Sequence, residues 1–231
     1  MTYTVVARDP DTARLGVVIA TRAPVVGARC PVVVPHFGAA SVQLIASPPL
    51  TQLCARLISQ GYSAPKVLEE LKSSDPHIQR RQIGIVDVAG NTAAFSGPTT
   101  NGFSGHILGE QFVAMGNAVI SEEVVNAMAA IMKDRSDLAF ADRLMAAIEA
   151  GTEAGGQADG QFSGGILVYD RDNFAEIDLR VDRAEGAVAE LRKLYDWYRP
   201  LIPYYVERAT DPYMERDDHW RARQAREGER Q

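Results

Sequence analysis

The sequence predicts an α+β fold in which antiparallel sheets are covered by helices. Three observations predict it. Runs of β-type residues come in pairs around short turns, amphipathic helical segments come in groups between those pairs, and compact βαβ units are missing. With 231 residues, 46% hydrophobic and 23% charged, the chain can bury a substantial core.

The first pair begins almost at once. Thr2 to Arg8 and Arg14 to Arg22 flank Asp9-Pro10-Asp11, so a hairpin is expected whose first strand ties down the N-terminus. Pro24 and Pro31 then mark a loop, and short β-type runs return at Val32–Val34 and Gly38–Ile45. Pro48-Pro49 ends them. Leu50, Leu53, Cys54, Leu57 and Ile58 have the spacing of a helix face, with Gly61 as its stop. Ser63 is placed to cap a second helix with Pro65 in its first turn and Val67, Leu68 and Leu71 inside. A second hairpin runs from Arg80 to Ser96 around Gly90-Asn91.

Gly97 to Glu110 is rich in Gly, Thr, Ser and Asn and is expected to be loop with at most a short strand. Gln111 to Met115 follows as a strand. Ser121 with Glu122 and Glu123 opens a helix to about Lys133, and another covers about Leu138 to Ala150. A glycine-rich connector leads to a third hairpin, Phe162–Tyr169 and Phe174–Val181, and then to a helix over 186–198. A domain is therefore expected over 1–198, with residues 199–231 as an extension. That extension spaces aromatics with prolines and ends almost wholly charged. It is expected to be a partly disordered surface segment or, alternatively, an arm that packs Tyr and Trp on a neighbouring subunit of a homo-oligomer.

Composition excludes several function classes. A net charge of -6 argues against nucleic acid as a partner. No signal-like or membrane-spanning apolar run is present, so a cytoplasmic protein without membrane contact is expected. Cys30 and Cys54 lack metal or redox spacing, and neither a metal nor a cofactor is expected. Gly155-Gly156 and Gly160 do not form a phosphate loop, because no Lys-Ser/Thr follows.

Several segments, in order, resemble one bacterial family. They are Thr2 to Gly16, Arg81-Gln82 with Val86-Asp87, Gly105-His106, Gly116-Asn117, Gly151 to Gly156, and Asp178 to Asp182 followed by Val188 to Leu191. The chain resembles, over about residues 2–195, the domain of unknown function 1028 family, which is grouped with the N-terminal-nucleophile (Ntn) hydrolases. The resemblance implies a four-layer αββα sandwich and an amide-bond hydrolase acting on a small-molecule substrate. Family members often carry Arg-Gly-Arg-Gln-Ser where this chain has Asp159-Gly160-Gln161-Phe162-Ser163. That loss favours the alternative, a non-catalytic small-molecule-binding or assembly protein that keeps the fold.

Under the resemblance Thr2 is the candidate nucleophile. In an Ntn hydrolase the α-amine of the first residue serves as base for its own hydroxyl. Such an amine titrates at about 7.7–8.0, so much of it can be neutral at working pH. The mechanism requires removal of Met1, since Thr2 has no free amine while Met1 is attached. The competing view is that threonine is simply common in strands. Arg22 is the candidate for holding a substrate carboxylate or favouring the neutral amine, with Arg8 as a second choice. His106 and Asn117 are candidates for substrate or oxyanion contact, against the alternative of turn-supporting hydrogen bonds. Cys30 and His36 would form a nucleophile pair only if folding joined them.

Overall fold

A computed structural model describes residues 1–228. Its ten strands are β1 (Thr2–Arg8), β2 (Leu15–Thr21), β3 (Pro31–Val34), β4 (Gly38–Leu44), β5 (Arg81–Asp87), β6 (Thr92–Ser96), β7 (Phe103–Gly109), β8 (Phe112–Val119), β9 (Ser163–Tyr169) and β10 (Ile177–Val181). They form an antiparallel six-stranded sheet, ordered β10-β9-β2-β1-β8-β7, and an antiparallel four-stranded sheet, ordered β3-β4-β5-β6. Helices α1 (Pro48–Ser59) and α2 (Ala64–Ser74) precede β5. Helices α3 (Glu123–Asp134) and α4 (Phe140–Glu153) precede β9. The chain divides into a unit of residues 1–192 and a second of 193–231.

Strand alternation builds the layers of the first unit. Side chains two apart share a face. One face of the large sheet therefore presents Val6, Leu15, Val17, Val113 and Met115, and these meet Ala39 and Val86 of the small sheet in one buried cluster. Close approach of the sheets depends on Gly84, where a Cβ would stand 3.0 Å from both Met115 Sδ and Val113 Cγ1. The other face of the small sheet buries Val42, Ile83 and Ile85 under Leu50, Cys54 and Ile58 of α1 and Val67 and Leu71 of α2. Beyond the large sheet lies α4, whose Leu144 side chain sits over Gly16 and whose Thr152 hydroxyl lies 2.7 Å from Tyr3 Oη. Helices thus cover both outer faces, as the sequence predicts.

Local chemistry sets several boundaries. Ser47 caps α1, its hydroxyl accepting the Leu50 N–H at 3.4 Å, and prolines occupy the first turn. Ser63 makes no such side-chain bond; the Asp87 carboxylate, at the end of β5, accepts the Ala64 N–H at 2.9 Å instead. Ser121 likewise contributes only its carbonyl, 3.4 Å from the Val124 nitrogen. At the first turn Asp9 accepts from the Thr12 hydroxyl at 2.5 Å and from Arg143 of α4 at 2.8 Å, tying the hairpin end to the helix layer.

The segment expected to be mainly loop contains β7, a seven-residue strand paired along β8. Its glycines admit aromatic rings: a Cβ on Gly105 would fall 2.5 Å from the Phe103 ring, and one on Gly109 only 2.1 Å from that of Phe112. Glycine here serves ring packing rather than chain reversal.

Helix α5 (Ala187–Tyr198) runs through the boundary between the units, and α6 (Ile202–Thr210) and α7 (Asp217–Gly228) belong to the second. The charged end expected to be partly disordered is helical through residue 228; residues 229–231 lie outside the described residues. The Tyr204 and Trp220 rings meet edge-on at 5.6 Å, and Tyr204 Oη donates to the Glu215 carbonyl at 3.0 Å. Acidic residues open α7, and Arg221 pairs with Asp217 one turn earlier, a charge order suited to a helix.

Candidate functional site

The layer between the sheets changes character along its length. At one end it is the apolar cluster around Val17 and Met115. At the other, the same strand faces turn polar. Thr2 stands opposite Thr21 on β2 and opposite Asn117 on β8, while Gln43 of β4 stands opposite Gln82 of β5. All five are buried. A strand interior normally excludes such groups unless each finds a hydrogen bond.

Most do. Thr4 donates to Gln43 Oε1 at 2.7 Å, Ser41 to the same atom at 3.0 Å, and Gln43 Nε2 to Gln82 Oε1 at 2.8 Å. Gln82 Oε1 also accepts from Asn117 Nδ2 at 2.8 Å. Gln82 Nε2 donates to Ser96 Oγ and to the Gly116 carbonyl, each at 2.8 Å. Ser96 Oγ lies 2.9 Å from His106 Nδ1. Among the described residues Asn117 Oδ1 has no partner, although the residue is fully buried.

A cavity of about 860 Å³ opens at this polar end, where β1 begins and β2 and β4 finish. Thr2 and Thr21 form its floor. The Thr2 hydroxyl donates to the Met1 carbonyl at 2.7 Å, the Thr21 hydroxyl donates to the same carbonyl, and the two hydroxyl oxygens are 3.1 Å apart. Burial holds the Met1 α-amine below its ordinary value; the Arg22 charge lowers it further and Cys30 opposes that. Cys30 lies in the wall, its thiol pushed up to about 12 by burial and thereby kept protonated and unreactive.

The walls carry cations. Arg22 follows directly on β2 and pairs with Asp159 at 3.4 Å, both side chains being more than half exposed. Arg29 and Arg183 also line the space. The Arg183 guanidinium lies 4.8 Å from the centre of the Phe162 ring, itself part of the wall. Two residues in the cavity region hold left-handed backbone without being glycine: Val25 with φ 63° and Leu44 with φ 77°. For a β-branched residue this conformation is a true outlier, and such strain gathers at functional sites.

The structure therefore brings Thr2 and Arg22 into one cavity. Asn117 lies behind Thr2 in the same sheet, and His106 joins it through Ser96 and Gln82 rather than lining the space. Burial depresses the His106 pKa. Arg8 is at the far end of β1, donating to the Asp9 carbonyl and to Gln111. Cys30 and His36 are separated by the whole of β3, about 13 Å of extended chain, and do not meet. Thr21, Gln43, Gln82, Arg29 and Arg183 are not among the site residues that the sequence suggests, although Gln82 belongs to a segment that carries the family resemblance. The glutamines had a signal, since each interrupts an apolar strand at a position of inward parity; the arginines had none.

Both cysteines are free and buried, and no metal-binding cluster occurs among the described residues. None of the described helices is long and apolar enough to cross a membrane.

Comparison with known proteins gives the following. The chain is 27% identical, with a TM-score of 0.77, to the crystal structure of a DUF1028 protein from Silicibacter pomeroyi, over 85% of this chain and 88% of that one. Two Anbu (ancestral beta-subunit) proteins are more distant. That of Yersinia bercovieri is 13% identical with a TM-score of 0.42, over 88% of this chain and 96% of that one. The Anbu of Hyphomicrobium sp. strain MC1 is 12% identical with a TM-score of 0.39, over 94% of this chain and 100% of that one. No curated protein matches the chain. The family of unknown function DUF1028 matches residues 2–191. On that match, and on the Silicibacter structure beside it, this chain belongs to the DUF1028 family.

Proposed function

We propose that the protein is an amide-bond hydrolase of the Ntn type, acting on a small substrate, with Thr2 as nucleophile once Met1 has been removed. One observation carries this: a buried hydroxyl at the first position of a central strand faces a cavity large enough for a small molecule, where burial and Arg22 already depress the neighbouring Met1 amine.

In the proposed cycle Thr2 Oγ1 bonds to the amide carbon as its proton passes to the Thr2 amine. The C–N bond then breaks, and the departing nitrogen takes that proton. Water adds to the resulting threonyl ester, the ester C–O bond breaks, and the acid leaves as the Thr2 hydroxyl is restored. Arg22 keeps the amine neutral by its charge. Asn117, opposite Thr2 in register, has a second Nδ2 proton beyond the one given to Gln82 and is assigned to the oxyanion. His106 is a positioning residue, acting through Ser96 and Gln82.

A second reading also has an observation in its favour. While Met1 is attached, its carbonyl occupies both threonine hydroxyls, leaving a cavity suited to binding without turnover. Thr2→Ala, assayed over a panel of small amides, separates the two. Loss of all turnover with ligand binding retained supports the hydrolase. Turnover unchanged in Thr2→Ala rejects Thr2 as nucleophile, and binding without turnover in the wild type supports the second reading.

A further inference from the structure

The cavity wall carries three arginines, and the residues lining it include no carboxylate. Arg22 has Asp159 at 3.4 Å, outside the lining residues. For Arg29 and Arg183 no carboxylate lies within ion-pairing distance among the described residues, although the chain as a whole carries net charge -6. An acidic protein that gathers unpaired guanidinium groups around one cavity raises the local concentration of anions there.

Backbone hydrogen bonds fix the main chain that carries Arg29 and Arg183, whose side chains are exposed. Arg183 sits between two anchored neighbours: the Asp182 carbonyl accepts the Val25 N–H at 3.1 Å, and the Ala184 N–H donates to the Phe162 carbonyl at 2.9 Å. Phe162 in turn donates its N–H to the Thr21 carbonyl at 2.9 Å, next to the threonine pair, and its ring supports the guanidinium. Arg29 is held by its N–H to the Val26 carbonyl at 3.0 Å, while its own carbonyl accepts from Thr51 of α1 at 3.4 Å. The strained Val25 belongs to the same loop. A guanidinium presents paired N–H donors that match a carboxylate, and that of Arg183 is steadied by the Phe162 ring.

We propose that the ligand of this cavity is a small molecule bearing a carboxylate, which Arg29 and Arg183 hold at the cavity wall. This rests on the hydrolase reading only in taking the remaining part of the ligand to be the amide. On that reading the substrate class is a monoamide of a dicarboxylic acid, or an N-acylated amino acid. The binding itself needs no chemistry at Thr2.

The test is therefore a binding measurement. Calorimetry on the full-length protein compares malonate, succinate and glutarate with their neutral diamides, and with inorganic phosphate. At least one dicarboxylate is expected to bind roughly tenfold or more tightly than its diamide, with affinity falling as salt rises. Arg29→Gln and Arg183→Gln are each expected to weaken that binding by about tenfold while leaving the thermal midpoint of the unliganded protein unchanged. Diamides binding as well as the acids, no dicarboxylate binding at millimolar concentration, or both glutamine variants binding like wild type would overturn the proposal. Phosphate binding in preference to every dicarboxylate would overturn the carboxylate assignment. Dicarboxylate binding that persists in Thr2→Ala, together with turnover that Thr2→Ala leaves intact, would reject Thr2 as the nucleophile and keep this proposal.

Discussion

Asn117 and Gln82 are joined across the two sheets, the Asn117 Nδ2 donating to Gln82 Oε1 at 2.8 Å. Asn117 is also the β8 residue that faces Thr2. The small sheet thus holds the strand position beside Thr2 through a side-chain bond, while the remaining Gln82 hydrogen bonds extend to β4, β6, β7 and β8. The polar end of the interlayer is a connected network with Gln82 at its centre.

Gln82→Ala is expected to destabilise the protein by about 3 kcal/mol, because it leaves a cavity and strips partners from Gln43 and Asn117 in the interior. Gln82→Met restores volume but no acceptor, so it should still cost about 1 kcal/mol or more. Urea unfolding measures both. A loss well under 1 kcal/mol for each would show that the network is replaceable.

Arg22→Gln should move the acid limb of the activity profile to higher pH. Burial and then the Arg22 charge lower the Met1 amine, and the same cation stands beside the Thr2 amine that removal of Met1 would free; without that charge the Thr2 amine should stay protonated to higher pH. The check is kcat/KM against pH for both proteins. An acid limb that stays fixed would show that Arg22 does not act on the amine.

His106 predicts a pH dependence of stability. Burial lowers its folded pKa below 6.5, so between the two values the unfolded chain binds the extra proton. The neutral imidazole's contribution is therefore complete above about pH 6.5 and is lost as pH falls through the folded pKa. On going from about pH 8 to about pH 5, the urea midpoint of wild type should fall more than that of His106→Gln. Equal falls would contradict this.

Val25→Gly should raise stability by about 1 kcal/mol, since glycine adopts the φ of 63° without the strain that valine bears. Differential scanning calorimetry reads the change. A decrease of similar size would show that the valine side chain contributes more in packing than the backbone costs.

Sequence and structure agree best where periodicity is strong. The opening hairpin, the helix pairs and the antiparallel class were all legible from the spacing of apolar residues. The segment at 97–110 was not, because Gly105 and Gly109 of β7 look like turn residues until the Phe103 and Phe112 rings lie over them. The charged C-terminal run hid α7 because its stabilising features are end charges and one-turn ion pairs, with no continuous apolar stripe. Ser63 and Ser121 were plausible caps by residue type; at α2 the donor is taken by Asp87, which comes from a strand over twenty positions later.

The candidate site divides in the same way. Thr2 and Arg22 are near in sequence to the ends of paired strands, so a hairpin register is enough to bring them together. Arg183 reaches the cavity only through bonds that connect residues 182 and 184 with 25 and 162. Such long-range placement leaves no local pattern. Asn117 was found from its glycine-flanked position, but the Gln82 that holds it required the second sheet.

The central claim is that Thr2 works with its own free amine. The most direct test is the intact mass of the native protein, read beside amide turnover and Thr2→Ala in the same preparation. A mass lower by one methionine residue, with activity that Thr2→Ala abolishes, is the predicted result. An active preparation in which every molecule retains Met1 would contradict it.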